Sequence, residues 1–364
     1  MDAKAVLTSM LAEADIRVGG DRPWDIRVHN EGLYKRVLRE GTLGAGEAYL
    51  DQLDVMFCKA LHAHLEDKVR RNLPNALIVA SQLLFNLQSV ARAPMVAEQH
   101  YNTDNAMFAR MLGPTMNYSC GYWKDAETLD EAQRNKMDLI CRKLDLKEGM
   151  SVLDIGCGWG GLSLYMAKEY GVKVTGVTIS TEQLAYAREH DAGHLVNWLL
   201  QDYRSMEGQF DRIVSVGMFE HVGRKNYDIF MKTTKRLLKP SGLFLLHTIG
   251  NSKKKTGTDP WINKYIFPNG MLPSPVCVAK AITGLYVMED WHNFGADYDK
   301  TLMAWHQRFE EGYAEGAFQC SERVRRMYRY YLLSCAGAFR ARDIQLWQIV
   351  LSPEGVEGGY CCQR

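Results

Sequence analysis

One stretch, S-V-L-D-I-G-C-G-W-G-G at residues 151–161, constrains the fold more than any other part of the chain. Residues 151–155 make a short apolar run of the kind that forms a buried parallel strand, and the glycines after it cannot extend that strand. Residues 162–170 then carry apolar side chains at helical spacing, so the unit reads strand, tight glycine loop, helix. With no side chains in the way, backbone N–H groups at the helix N-terminus can approach a ligand, which makes the loop a candidate nucleotide site. The fold class that follows is α/β, a Rossmann-like open sheet that binds its ligand beyond the C-terminal ends of the strands.

Gly156, Gly158 and Gly161 fit the dinucleotide spacing G-x-G-x-x-G, so NAD has to be weighed. A nicotinamide site wants an acid about 20 residues on, at the end of the second strand, to hold the ribose. Residues 172–180 supply that strand, but it ends in Thr178, Ile179 and Ser180. Asp154 stands two residues before the first glycine and gives D-x-G-x-G-x-G, which resembles the first motif of methyltransferases that use S-adenosylmethionine (SAM). SAM is the expected cofactor.

At 364 residues the chain has room for a large domain and a smaller one. Its net charge of +1 gives no global reason to expect nucleic acid as a partner. Residues 1–20 carry acids without an apolar core, and no apolar run approaches the roughly 18 residues of a membrane span, so a cytoplasmic protein is expected. Nine cysteines lie scattered without a C-x-x-C pair, suggesting neither a zinc site nor a disulfide framework, and Cys361 and Cys362 read as free thiols.

Residues 1–88 read as a small, mainly helical N-terminal domain, with helical periodicity at 3–14 and 55–65 and an edge-strand alternation at 25–29. Lys68, Arg70 and Arg71, followed by the apolar residues 77–87, suit either a lipid surface or an ordinary solvated helix end. Residues 89–99 contain Pro94 and little periodicity and are taken as a linker, leaving 100–364 as the catalytic domain. The block at 100–123 is rich in residues that do chemistry: His100, Tyr101, Tyr118, Ser119, Cys120, Tyr122 and Trp123. So many together lean toward a pocket wall.

A helix over 129–144 leads into the glycine loop, and another over 181–190 places Gln183 within reach of an adenosine. Asp202 and Tyr203 follow a short strand, where a carboxylate can accept from an adenine amino group while an aromatic ring covers the base. The next strand, 210–216, runs into G-M-F-E-H-V-G and puts Glu220 and His221 at the ligand face. A strand over 243–247 then ends on His247. The aromatic remainder, 259–348, is expected to cap the site, with Lys253 to Lys255 and Arg323, Arg325, Arg326 and Arg329 as candidates for anionic headgroups.

Taken together, Y-S-C-G-Y-W-K-D, V-L-D-I-G-C-G-W-G-G, G-V-T-I-S, V-G-M-F-E-H-V-G, L-L-H-T-I-G, Y-I-F-P-N-G, F-G-A-D-Y-D and C-A-G-A-F-R-A-R-D resemble the cyclopropane fatty acid synthase family over nearly the whole chain. The resemblance implies transfer of the SAM methyl to a cis double bond of an unsaturated phospholipid acyl chain at the membrane surface, closing a cyclopropane ring. It implies bicarbonate as the base, in a pocket of Cys120, Glu220, His247, Ile249 and Tyr298, and it matches Cys335 to a cysteine sometimes treated as the family's nucleophile. For SAM it implies Tyr118, Ser119, the loop Val152, Asp154, Gly156, Cys157, Gly158, Trp159 and Gly160, then Thr178, Ile179, Ser180 and Gln183, and Asp202, Tyr203 and Arg204. A homodimer at the inner face of the membrane is also implied.

Two departures stand out. Asn102, Asp104 and Ala106 occupy positions where the family commonly shows Asp, Gly and Asp, and residues 46–54 lack a longer, Trp-containing stretch. The alternatives are therefore methylation without ring closure and a lipid- and SAM-binding paralogue with little turnover.

Overall fold

The computed structural model describes residues 2–28, 31–41, 53–65, 105–252 and 259–364. Among them, helices α1 (Ala3–Glu13), α2 (Gly32–Glu40), α3 (Leu53–His62), α4 (Asn105–Leu112) and α5 (Leu129–Lys143) come first. Strands and helices then alternate through β1 (Ser151–Ile155), α6 (Gly161–Tyr170), β2 (Lys173–Thr178), α7 (Thr181–Glu189), β3 (Val196–Leu200), β4 (Phe210–Val216), α8 (Tyr227–Leu237) and β5 (Leu238–Asn251). The last part comprises α9 (Pro260–Tyr265), α10 (Pro275–Ile282), β6 (Val287–Asn293), α11 (Ala296–Glu315), α12 (Glu322–Arg340) and β7 (Ile344–Ser352).

The strands form one sheet in the order β3-β2-β1-β4-β5-β7-β6. β1 to β5 are parallel, whereas β7 runs antiparallel between β5 and β6. β1 has β2 on one side and β4 on the other, so the strand order reverses where the glycine loop leaves the sheet, and a crevice opens there. Alternation along β1 sends Leu153 and Ile155 into one apolar cluster with Ile213, Phe244 and Leu246, and Val152 into the opposite one with Val214, Leu245 and Met166. Each fully buried side chain of this size contributes about 1.5–3 kcal/mol.

A third cluster joins Leu7, Leu11, Ile16 and Met56 of the N-terminal helices to Phe108, Trp305, Leu332 and Phe339. Its polar edge is Arg340, which donates to Asp54 at 2.6 Å and to both oxygens of Asp299 at 2.8 and 2.9 Å. Gly337 allows the close approach: a Cβ there would stand 2.5 Å from the Asp54 carbonyl.

Three expectations need correction. Residues 25–28 form no strand; a single bridge joins Val18 to Ile26, because the Asp25 carboxylate accepts from the Arg17 and Arg22 backbone N–H groups and folds the segment onto itself. The β5 strand starts at Leu238 and runs past His247 to Asn251, since β7 pairs with it from Phe244 onward. The cap is therefore only partly a cap, as β6 and β7 complete the sheet. The 89–99 linker, the basic residues Lys68, Arg70 and Arg71, Lys253 to Lys255, His100, Tyr101, Asn102 and Asp104 lie outside the described residues.

Candidate active site

The loop after β1 turns sharply because the N–H groups of Gly156 and Cys157 both donate to the Val177 carbonyl, at 2.9 and 3.1 Å. Gly156 has φ +80° and a Cβ there would meet Met218 at 2.8 Å, so only glycine fits without displacement. Gly161, which opens α6, passes so close to the 115–117 segment that a Cβ would stand 1.8 Å from the Thr115 carbonyl. The result is a pocket at the ends of β1, β2 and β4.

Its walls include Tyr118 and Ser119, Asp154, Gly156 to Trp159, Thr178 to Ser180, Gln183, and Asp202 to Arg204. Asp154 is buried and accepts from Ser163 Oγ at 2.7 Å. Burial raises its carboxyl to about 6, against the pull of Ser163 and Lys136. Ser180 caps α7 by accepting from the Gln183 N–H, and Thr178 Oγ1 donates to Gln183 Oε1 at 3.2 Å, which fixes the Gln183 amide on the wall. Asp202 is clamped by Arg204, whose N–H and Nε donate to Oδ1 at 2.9 and 2.8 Å.

Beside this pocket lies a drier group of polar side chains. The short turn Phe219–His221 points consecutive residues different ways: His221 lines the pocket, whereas the Glu220 side chain turns to β5 and accepts from the Ile249 N–H at 2.6 Å. Burial raises the Glu220 carboxyl to about 7, with the Ile249 N–H and the Thr248 hydroxyl working against it. His247 and Ile249 share one face of β5 by their spacing. Gln348 Nε2 lies 3.3 Å from His247 Nδ1 and holds the ring in place, and burial holds His247 neutral. Tyr298 is buried, and Cys120, Glu220, Tyr118 and Cys335 stand near enough for their charges to raise its hydroxyl further. Among the described residues, Glu220 Oε2 and His247 Nε2 have no hydrogen-bond partner. A buried polar atom left unpaired in this way calls for a ligand or a water.

Rings surround these groups. Tyr298 packs on Phe339 and Trp305 at 4.5 and 5.9 Å between centroids, and Phe267 packs on Tyr331 and His221 at 5.7 and 5.9 Å.

Residues 88–349 match the family model described as mycolic acid cyclopropane synthetase. The chain belongs to this family. It is 56% identical over 360 residues to cyclopropane-fatty-acyl-phospholipid synthase of Escherichia coli, covering 97% of this chain and 94% of that one. Cyclopropane mycolic acid synthase 1 of Mycobacterium tuberculosis is 34% identical over 276 residues, 69% of this chain and 94% of its own. Among solved structures, the mycolic acid cyclopropane synthase CmaA1 complexed with SAH and CTAB superimposes with a TM-score of 0.65 at 33% identity, covering 71% of this chain and 97% of that chain. The fold is accordingly that of a SAM-dependent methyltransferase, and the chain is an enzyme of the cyclopropane synthetase family.

Of the residues expected at the SAM site, Val152 and Gly160 do not line the pocket. Val152 is fully buried beneath the sheet, and a Cβ at Gly160 would meet Trp198 at 2.5 Å, so both shape the loop from behind. Cys120 is buried with its thiol donating to the Gly121 carbonyl at 3.1 Å. Cys335 is pushed up to about 12, first by burial and then by Asp259, so its thiol stays protonated at neutral pH. That state does not suit a nucleophile. The sequence reading missed Asn117, Met218 and Asn226 on the wall, and the buried Gln133 and Lys136 behind it. Gln133 and Lys136 had a signal: both fall on the apolar stripe of α5 with Leu129, Met137 and Ile140.

Proposed function

We propose that the protein closes cyclopropane rings on cis double bonds of unsaturated phospholipid acyl chains, with SAM in the pocket at the glycine loop and bicarbonate held by Cys120, Glu220, His247, Ile249 and Tyr298. Bound SAM supplies the methyl group and bicarbonate the base, so that alkene and cofactor yield cyclopropane, S-adenosylhomocysteine and a proton. The observation that carries this reading is the pair of buried atoms, Glu220 Oε2 and His247 Nε2, left without partners beside the pocket.

The donor set suits a small hydrogen-bearing anion. His247 offers its unpartnered Nε2, and a Glu220 carboxyl raised to about 7 can accept the anion's O–H or donate to it. Ile249 contributes to that pocket through its N–H, which donates to Glu220 and holds the carboxyl in place. Around them, Tyr298, Phe339, Trp305, Phe267 and Tyr331 exclude water and present ring faces that favour developing positive charge. An alkene is a weak nucleophile, so a dry cavity free of competing nucleophiles is what the chemistry requires. The high thiol pKa of Cys335 fits that requirement.

Among the described residues no helix is long and apolar enough to cross a membrane. In this reading the lipid is met at the bilayer surface, with residues 1–88 as the engaging unit. A homodimer is part of the same reading. The test is mass spectrometry of lipids after incubation of the protein with SAM and vesicles of cis-unsaturated phospholipid, with and without bicarbonate. A gain of one CH2 per chain with loss of the double bond, dependent on bicarbonate, is expected. A saturated branched or oxygenated product would overturn ring closure, and SAM binding without any mass change would identify a binding paralogue.

A further inference from the structure

Helix α5 carries a buried lysine that none of the roles above employs. Lys136 is fully buried, and its Nζ donates to Asn117 Oδ1 at 2.9 Å and to Ser119 Oγ at 3.0 Å. One turn earlier Gln133, equally buried, donates from Nε2 to the Ser119 carbonyl at 2.8 Å and the Asn117 carbonyl at 3.4 Å. Between the two tethered residues stands Tyr118. It lines the cofactor pocket, its hydroxyl donates to Tyr331 Oη at 3.1 Å, and its ring lies 5.2 Å from Trp305.

Among the described residues Lys136 makes no ion pair within 4 Å; both its hydrogen-bond partners are neutral. The ionisable groups that feel it or act on it are Cys120, Asp154 and His247. Burial lowers the Lys136 amine to about 7, so keeping a lysine here carries a desolvation cost, and an apolar side chain of the same shape would pack more favourably. Packing alone therefore does not account for a lysine here.

We propose that Lys136 is a positioning residue for the reaction, holding Asn117 and Ser119 so that Tyr118 is set between the cofactor pocket and the aromatic wall. This rests on the cofactor reading given above. The lysine acts through the 117–119 segment and touches neither cofactor nor substrate.

The test measures SAM affinity by calorimetry, turnover and thermal stability in the parent, in Lys136→Met, Ser119→Ala and the double variant, and in Lys143→Met. Lys143 is the other fully buried lysine of α5, but it pairs with Asp290 at 3.3 Å, away from the pocket. Lys136→Met is expected to weaken SAM binding about tenfold or more, the scale of losing two buried hydrogen bonds. Adding it to Ser119→Ala should cost much less than the product of the single effects. Lys143→Met should lower stability with SAM affinity within about twofold of the parent. Unchanged SAM affinity in a folded Lys136→Met, or effects that simply multiply with Ser119→Ala, would overturn the proposal. If Lys136→Met does not fold, Gln133→Met removes the other tether to the same segment and must show the same loss; parental affinity there overturns it too. A parent that binds no SAM overturns the cofactor reading itself.

Discussion

The cofactor pocket and the Glu220–His247 cluster sit side by side and are built on opposite principles. In the pocket most of the named groups are already engaged, as Asp154 accepts from Ser163, Thr178 donates to Gln183 and Asp202 is clamped by Arg204, with His221 Nδ1 the exception. In the cluster, Glu220 Oε2 and His247 Nε2 are buried without partners, and burial holds both side chains toward their neutral forms. A satisfied site binds through shape and fixed dipoles and changes little on occupancy. An unsatisfied one stores desolvation cost that a small polar ligand relieves, which ties its ligand to chemistry rather than to cofactor affinity.

Separating the two regions by mutation is the sharpest way to break this contrast. Glu220→Ala and His247→Ala should each lower turnover by about 10²–10⁴, the range for losing a positioned acid or base, with SAM affinity unchanged by calorimetry. Lost SAM affinity in either variant would merge the two sites. Asp154→Asn should act the other way, weakening SAM binding about tenfold to a hundredfold while bound enzyme still turns over.

Gly161→Ala should destabilise the fold by about 1–3 kcal/mol in urea unfolding, because the new methyl has to displace the Thr115 carbonyl that lies 1.8 Å away. A smaller effect shows in the pH dependence of stability. The Glu220 carboxyl, raised from 4.5 to about 7, contributes stability that is complete below about pH 4.5 and is lost as pH rises through 7, where the buried group has to ionise. Urea midpoints of the parent should therefore fall more between pH 5 and pH 8 than those of Glu220→Gln. Smallest of all is Cys335→Ser, expected within a few-fold of parental activity because burial holds the thiol protonated.

The strands that frame both regions are legible in the sequence. The expected strands 151–155 and 210–216 coincide with β1 and β4, since each carries a mainly apolar core and is ended by glycine. β5 was read too short, because Lys239 to Gly242 spell a turn locally and only pairing with β4 and the distant β7 holds the longer strand. The alternation at 25–29 misleads for the converse reason: among the described residues only a single bridge, Val18 to Ile26, pairs with it.

The chain by itself determined a glycine loop at a strand end, the acid before it, and a pair of titratable residues after β4, because each depends on neighbours close in sequence. Only the tertiary structure decided that Glu220 faces Ile249 while the adjacent His221 faces the pocket, and that Lys136, on an apolar stripe, reaches Asn117 and Ser119. Direction and desolvation are set by what packs against a side chain, and those partners lie on other strands and helices, far away in the sequence.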